Sequence, residues 1–265
     1  MRLITWNINS VRLRRDLVRR LIEEQQPDIL CLQETKTPDE HFPRDEFAAL
    51  GYRDMLVHGM KGYNGVAILS RLPFAATATR AWCARADCRH AIVELPGRIE
   101  LHNLYVPAGG DVPDPEANPK FAHKLQFLDE LTAWFAAERT NGARRPMIAV
   151  GDLNIAPLEA DVWSHRQLLK VVSHTPIECE KLLAAQTHGE WFDVARERIP
   201  LSEKVYTWWS YRAADWTVGD RGRRLDHIWV SRALKDGVSD FRITRDARGW
   251  ERPSDHVPVT VTLDV

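Results

Sequence analysis

The sequence predicts an α/β fold, and three observations predict it. Short, nearly continuous apolar runs recur at 28–33 (DILCLQ), 65–70 (GVAILS) and 147–150 (MIAV); runs of this kind mark strands buried on both faces. Between them lie apolar stripes at helical spacing, such as Leu17, Val18, Leu21 and Ile22. The two patterns alternate through all 265 residues with no low-complexity segment or linker, so one domain spanning 1–265 is expected.

Residues 2–8 (RLITWNI) read as the first strand. The helix carrying the Leu17–Ile22 stripe follows, and Pro27 stops it. The runs at 28–33 and 65–70 are the next strands. Residues 89–95 and 98–106 read as a pair around the Pro96-Gly97 turn. Pro, Gly and Asp crowd 107–119, which makes that segment a loop. A helix is expected over 120–138, with Phe121, Leu125, Leu128 and Leu131 on one face. After the 147–150 strand, Thr175-Pro176-Ile177-Glu178 is a helix start, with Thr at N-cap, Pro at N1 and Glu at N3. Residues 225–230 and 257–263 read as late strands. Strand, helix, strand and hairpin material occur in both halves and hint at a duplicated architecture.

With 36 Lys and Arg against 37 Asp and Glu, no global positive field announces nucleic acid, although local patches carry much of that interaction. Arginine is dense at Arg12, Arg14, Arg15, Arg19 and Arg20, and again at Arg221, Arg223 and Arg224; each cluster alone reads as solvated surface. Cys31, Cys83, Cys88 and Cys179 form no zinc or disulfide spacing, so a reduced, cytoplasmic protein is expected. A strand begins directly after Met1, so no cleavable signal is expected. No apolar run nears the ~18 residues of a membrane span. Nothing demands an oligomer, so a monomer is expected.

Polar residues gather where buried strands end. The first strand ends at Asn7 and Asn9, the second at Glu34, and the strand after Pro96-Gly97 at Asn103 and Tyr105. The 147–150 strand runs into Gly151-Asp152-Leu153-Asn154; Arg224-Leu225-Asp226 and Ser254-Asp255-His256 introduce the last two. Each has a bland reading as a turn, a cap or a satisfied surface pair. Together they are hard to dismiss, because charge beside apolar strands is costly unless paired or metal-bound, and strand ends are where α/β sites assemble. Carboxylates with Asn and a single His, and no Cys, favour a hard cation such as Mg²⁺. Phosphodiester cleavage needs an aligned water, stabilised phosphoryl charge and a neutralised leaving oxygen, and this inventory can supply all three.

Trp6-Asn7-Ile8-Asn9, Leu32-Gln33-Glu34-Thr35-Lys36, Gly151-Asp152-Leu153-Asn154, Arg224-Leu225-Asp226 and Ser254-Asp255-His256-Val257-Pro258 resemble, in order and spacing, the endonuclease/exonuclease/phosphatase superfamily. Asn103-Leu104-Tyr105-Val106-Pro107 has Tyr where sphingomyelinase- and DNase I-like branches usually have His. With Lys36 and Tyr206-Thr207-Trp208-Trp209, it looks like the exonuclease III / abasic-site endonuclease branch. The resemblance implies a four-layer α/β sandwich, two packed mixed sheets flanked by helices. It implies incision 5′ to abasic sites, removal of nucleotides and blocking groups from 3′ ends, and double-stranded DNA as partner. It implies Mg²⁺, with Mn²⁺ as a substitute.

It also implies roles. Glu34 is the main metal ligand with Asn9 and Asp255 nearby, and Asn7, Asp152 and Asn154 complete the candidate oxygen set. Asp152 orients or deprotonates the water, Asn7 and Asn154 hold the constellation, Tyr105 contacts the phosphate, and His256 paired with Asp226 binds a phosphate oxygen. Candidate DNA contacts are Lys36, Arg12, Trp208, Trp209, Trp216, Arg221 and Arg223, with Trp229 and one of Trp208 and Trp209 expected in the core. Ala108 departs from the family's Asn or Gln, so backbone amides replace that phosphate contact or it is lost. Two other readings are a superfamily phosphatase acting on a non-nucleic-acid substrate and a catalytically silent DNA-binding protein. Tyr105 and the interleaved aromatic and basic residues of 204–229, among them Tyr206, Tyr211, Arg212 and Trp216, argue against the first, and the complete polar set against the second.

Overall fold

The computed structural model describes residues 1–140, 145–212 and 215–265. Its strands, in chain order, are β1 (Arg2–Asn7), β2 (Ile29–Gln33), β3 (Asp54–His58), β4 (Val66–Ser70), β5 (Ala76–Thr79) and β6 (His90–Leu95). They continue with β7 (Ile99–Tyr105), β8 (Met147–Asp152), β9 (Phe192–Asp193), β10 (Asp226–Val230), β11 (Val238–Ile243) and β12 (Val259–Leu263). The helices are α1 (Arg15–Gln25), α2 (Arg44–Ala49), α3 (Pro119–Thr140), α4 (His165–Leu168), α5 (Pro176–His188), α6 (Val194–Arg198) and α7 (Trp216–Gly219).

The strands form two six-stranded mixed sheets, ordered β11-β12-β1-β2-β4-β3 and β5-β6-β7-β8-β10-β9. Each has one parallel pair, β1 with β2 and β7 with β8, joined by a helical crossover through α1 or α3. All other pairings are antiparallel. The sheets therefore repeat one topology, which is the duplication hinted at by the sequence.

Burial explains the layers. Every residue of β2 is buried, and Ile29 and Cys31 face Val93, Leu101, Ile148, Val150 and Ile228 of the other sheet. The alternate residues, Leu30 and Leu32, face outward with Ile4 and Leu69, where Val18, Leu21 and Ile22 of α1 cover them. On the far side, Phe127, Leu128 and Leu131 of α3 and Leu182 and Ala185 of α5 cover Ala149 and Trp229. The four layers are thus helix, sheet, sheet, helix, and each fully buried large apolar side chain contributes about 1.5–3 kcal/mol. The Thr175–Glu178 capping box opens α5 as expected.

Four strands, all at sheet edges, are absent from the sequence reading. β5 is exposed along its whole length, β3 and β11 are half-exposed edges, and β9 has two residues.

Two arginines placed on the surface by their clusters are core residues instead. Arg14 is buried and donates to the carbonyls of Ile8, Asn9 and Arg252 and to the Tyr211 hydroxyl. Arg224 is fully buried; its Nε and Nη2 grip both Asp161 oxygens at 2.8 Å, and its Nη1 reaches Asp193 Oδ2 at 2.7 Å. Breaking a buried ion network by removing one partner strands the others without charge compensation. Arg224→Met is accordingly expected to cost about 3–5 kcal/mol in urea unfolding; a loss below about 1 kcal/mol, the worth of an exposed pair, would contradict this.

Candidate active site

Both parallel pairs point their carboxyl ends to the same edge of the sandwich. Asn7 and Glu34 stand at the ends of β1 and β2, and Tyr105 and Asp152 at the ends of β7 and β8. β10 runs antiparallel to β8, which puts Asp226 opposite Asp152. β12 runs antiparallel to β1, so the residues preceding it, Asp255 and His256, lie beyond the end of β1.

Left-handed backbone recurs at these strand ends. Asn9, Ser10, Glu34, Lys36 and Asn154 all have left-handed φ, between 47° and 85°. Such geometry is sparsely populated outside glycine and persists where surrounding structure holds it, most often at functional sites. Gly151 is required just before Asp152, because a Cβ there would lie 1.9 Å from the Leu104 carbonyl oxygen.

One amide joins the sheets. Asn7 Nδ2 donates to Glu34 Oε1 and to Asp152 Oδ2, both at 2.9 Å. Asn7 Oδ1 accepts the Asn9 N–H at 3.0 Å, so the amide faces the carboxylates with its NH₂. Tyr105 donates its hydroxyl to Glu34 Oε1 at 2.8 Å. Asn154 donates its backbone N–H to Asp152 Oδ1 at 2.9 Å and its Nδ2 to Asp152 Oδ2 at 3.2 Å. His256 meets Asp226 Oδ2 through Nδ1 at 2.8 Å and turns Nε2 toward Asp152 Oδ2 at 3.6 Å.

The electrostatics separate these groups. Burial and the Asp226 charge push the Asp152 carboxyl up to about 7, against the opposing pull of the His256 charge and the Asn7 bond. Burial opposes the charged form of His256, but Asp226 and Asp152 outweigh it and raise the imidazole to about 10. Burial would raise Glu34 as well; the Lys36 charge and bonds from Asn7, Lys36 and Tyr105 win and hold it below the usual carboxylate range. Burial, then the Glu34 and Asp152 charges, keep Tyr105 neutral.

A cation fits the first oxygen set. Lys36 Nζ sits 2.7 Å from both Glu34 Oε2 and Asn9 Oδ1, and Asn9 Nδ2 holds Asp255 Oδ1 at 3.1 Å. The Glu34 and Asn9 oxygens already accommodate an ammonium, and a hard dication prefers the same donors. Asp152, Asp226 and His256 also bring one ligand atom each within 4.8 Å of one another. An imidazolium has no lone pair to give a metal, which makes that second set the poorer fit.

The set opens into a cleft of about 850 Å³ lined by Ala108, Trp163, Ser173, Trp208, Trp216 and Arg223, among others. Trp208 is half-buried and fixes Asp255 Oδ2 through its indole N–H at 2.9 Å. Arg223 stacks on Trp208 and donates to Val172 O and Ser173 Oγ, and exposed Arg221 stacks on Trp163. Trp216 is half-buried against Trp209, and Arg12 is exposed. Trp209 is a correction: it is 1% exposed with its N–H spent on Asp220, so it has no face to offer a base. Trp229 is core, as expected. Trp163 at the cleft and the role of Arg14 escape the sequence reading, whereas Tyr211 falls in the aromatic and basic segment it singles out. Trp163 lies in a segment with no periodic pattern, and Arg14 braces the Asn9 loop through Tyr211 across 197 residues of sequence.

The family model described as Endonuclease/Exonuclease/phosphatase family matches residues 4–256. "Exodeoxyribonuclease III" of Haemophilus influenzae is 30% identical over 98% of each chain. Among solved structures, an AP endonuclease from Archaeoglobus fulgidus superposes with a TM-score of 0.91 at 31% identity, covering 100% of both chains. A 3′-5′ exonuclease from Neisseria meningitidis gives 0.90 at 31% identity, with the same coverage.

The imidazole value implies a pH dependence. Its folded value lies above the ordinary one, so the stabilisation from the His256–Asp226 pair is complete below about pH 6.5 and is lost as pH rises through about 10. NMR titration of the metal-free protein should find His256 still protonated at pH 8, and Asp226→Asn should lower its midpoint. A wild-type midpoint near 6.5 would contradict the assignment.

Proposed function

The chain belongs to the endonuclease/exonuclease/phosphatase family, and we propose that within it the protein is an exodeoxyribonuclease III-like DNA repair nuclease. It hydrolyses phosphodiester bonds, incising 5′ to abasic sites and clearing nucleotides and blocking groups from 3′ ends of double-stranded DNA. It works as a cytoplasmic monomer with one catalytic domain, 1–265. No described helix is long and apolar enough to cross a membrane.

The observation that carries this reading is the single Asn7 amide shared by Glu34 and Asp152, beside an imidazolium held by Asp226. Asp152, poised near 7, accepts the proton of the attacking water. His256 donates through Nε2 to a phosphoryl oxygen, and the neutral Tyr105 hydroxyl does so once its proton turns from Glu34, where negative charge builds as water adds and the bond to the leaving oxygen breaks. Asn7 and Asn154 fix both Asp152 oxygens so that the base does not rotate away. Glu34, with Asn9 and Asp255, would hold Mg²⁺, or Mn²⁺ in its place. The chemistry a dication supplies there is neutralisation of phosphoryl and leaving-oxygen charge. Lys36 competes for the same oxygens. The Trp208, Trp216, Arg221 and Arg223 wall receives the unpaired or terminal nucleotide by stacking and charge.

Two experiments test the reading. A duplex carrying one abasic analogue is incubated with Mg²⁺ or EDTA, beside an undamaged duplex. Incision at the lesion and trimming of 3′ ends are expected with Mg²⁺ only, and Asp152→Asn should lose about 10²–10⁴-fold in rate. Cleavage of neither duplex would overturn the nuclease reading, and release of phosphate from inositol phosphates would favour the phosphatase one. In the second, Trp216→Ala should weaken DNA binding by about 1–3 kcal/mol, the worth of one stacked base, and by more than it lowers folding stability. Unchanged affinity removes Trp216 from the DNA surface.

A further inference from the structure

Lys124 and Glu178 touch none of the reacting groups proposed above, yet both side chains are fully buried and 2.5 Å apart. An apolar pair of similar volume serves a core at least as well as a buried ion pair, so stability alone does not account for it. What the pair holds does.

An ammonium has three donors, and Lys124 Nζ has three acceptors: Glu178 Oε1, Asn154 O at 2.9 Å and Ala108 O at 3.2 Å. The two carbonyls belong to the loops that leave β7 and β8 at the catalytic end. Glu178 fastens a third segment: it accepts from Ser173 N at 3.0 Å, Thr175 N at 3.2 Å and Thr175 Oγ1 at 2.6 Å. Ala108, Asn154 and Ser173 all line the cleft. Gly109 makes the approach possible, since its φ is +89° and a Cβ there would lie 2.9 Å from Lys124 Cδ and 3.1 Å from Val172 Cγ1.

Asn154 links the pair to the chemistry. Its carbonyl rests on Lys124, while its N–H and Nδ2 rest on the two Asp152 oxygens. A shift of the Asn154 backbone is therefore a shift of the base. We propose that Lys124 and Glu178 are positioning residues that set the separation between the Asp152–Asn154 turn and the Ala108–Gly109 wall, and with it the alignment of water and phosphate. The proposal rests on the nuclease reading for its activity readout only.

The test compares wild type, Lys124→Arg, the double variant Lys124→Met/Glu178→Gln, which removes both buried charges together, and Gly109→Ala, which presses on Lys124 and leaves the pair in place. Single-turnover cleavage, DNA affinity and amide hydrogen exchange over 106–110 and 153–156 are measured. About 1 Å of misplacement costs on the order of 10²-fold in rate. The double variant is expected to lose that much in rate, to hold its DNA Kd within about threefold, as for an interaction realised only in the transition state, and to exchange faster in both loops. Lys124→Arg should recover most of the rate. A folded double variant with wild-type rate and exchange overturns the proposal, as does one whose rate and affinity fall together with its folded fraction. Where the double variant does not fold, Gly109→Ala decides: a slowed rate at unchanged affinity supports the proposal, and a wild-type rate overturns it. Should wild type not cut DNA, the nuclease reading falls, and the exchange data still judge the strap.

Discussion

The structure depends on a short row of polar contacts, most of them buried, that crosses from one sheet to the other. Asn7 reaches Asp152, Tyr105 reaches Glu34, and Gln33 Nε2 reaches Asn103 Oδ1 at 2.7 Å. Asn103 then returns two bonds to the first sheet, to the carbonyls of Leu32 and Ala67. An apolar interface tolerates sliding of one sheet over the other, because dispersion has little direction. A fully buried hydrogen bond does not, since leaving a partner unmet costs about 1–3 kcal/mol. The row therefore fixes the registry of two sheets that are otherwise held by shape and area.

The same row sets the charge balance. Four carboxylates, Glu34, Asp152, Asp226 and Asp255, meet two cationic groups, Lys36 and His256, within one connected network. Excess negative charge in a buried place is expensive. The site answers in two ways, by lifting Asp152 toward its neutral form and by holding His256 as a cation. Any further positive charge brought to these oxygens favours the Asp152 carboxylate. The protonation state of Asp152 is thus a property of the whole cluster.

Much of this was legible in the residues. Buried strands of the two parallel pairs are apolar on both faces and announce themselves, and their ends carry the polar motifs. Edge strands such as β5 have one or no buried face, so they lack the signal. Residues whose meaning is a distant partner were misread. Arg224 stands beside two arginines that do face the cleft or solvent, and only the fold reveals Asp161 and Asp193 around it. Trp208 and Trp209 are adjacent and alike; one is half-buried and the other is buried, with its N–H on Asp220. Lys124 did leave a trace: at three residues after Phe121 and four before Leu128, it lies on the apolar face of α3, where a charge needs a buried counter-ion.

The repeated topology has a consequence for the life of the chain in a cell. Each sheet owns only part of the candidate apparatus: Asn7, Glu34 and the segment before β12 on one side, Tyr105, Asp152 and Asp226 on the other. During synthesis β1 to β4 emerge early, but β12 and the His256 that precedes it come last. A ribosome-bound or half-docked chain holds unpaired fragments of the apparatus and no complete set. The set is thereby complete only once both sheets are in place and β12 is paired with β1.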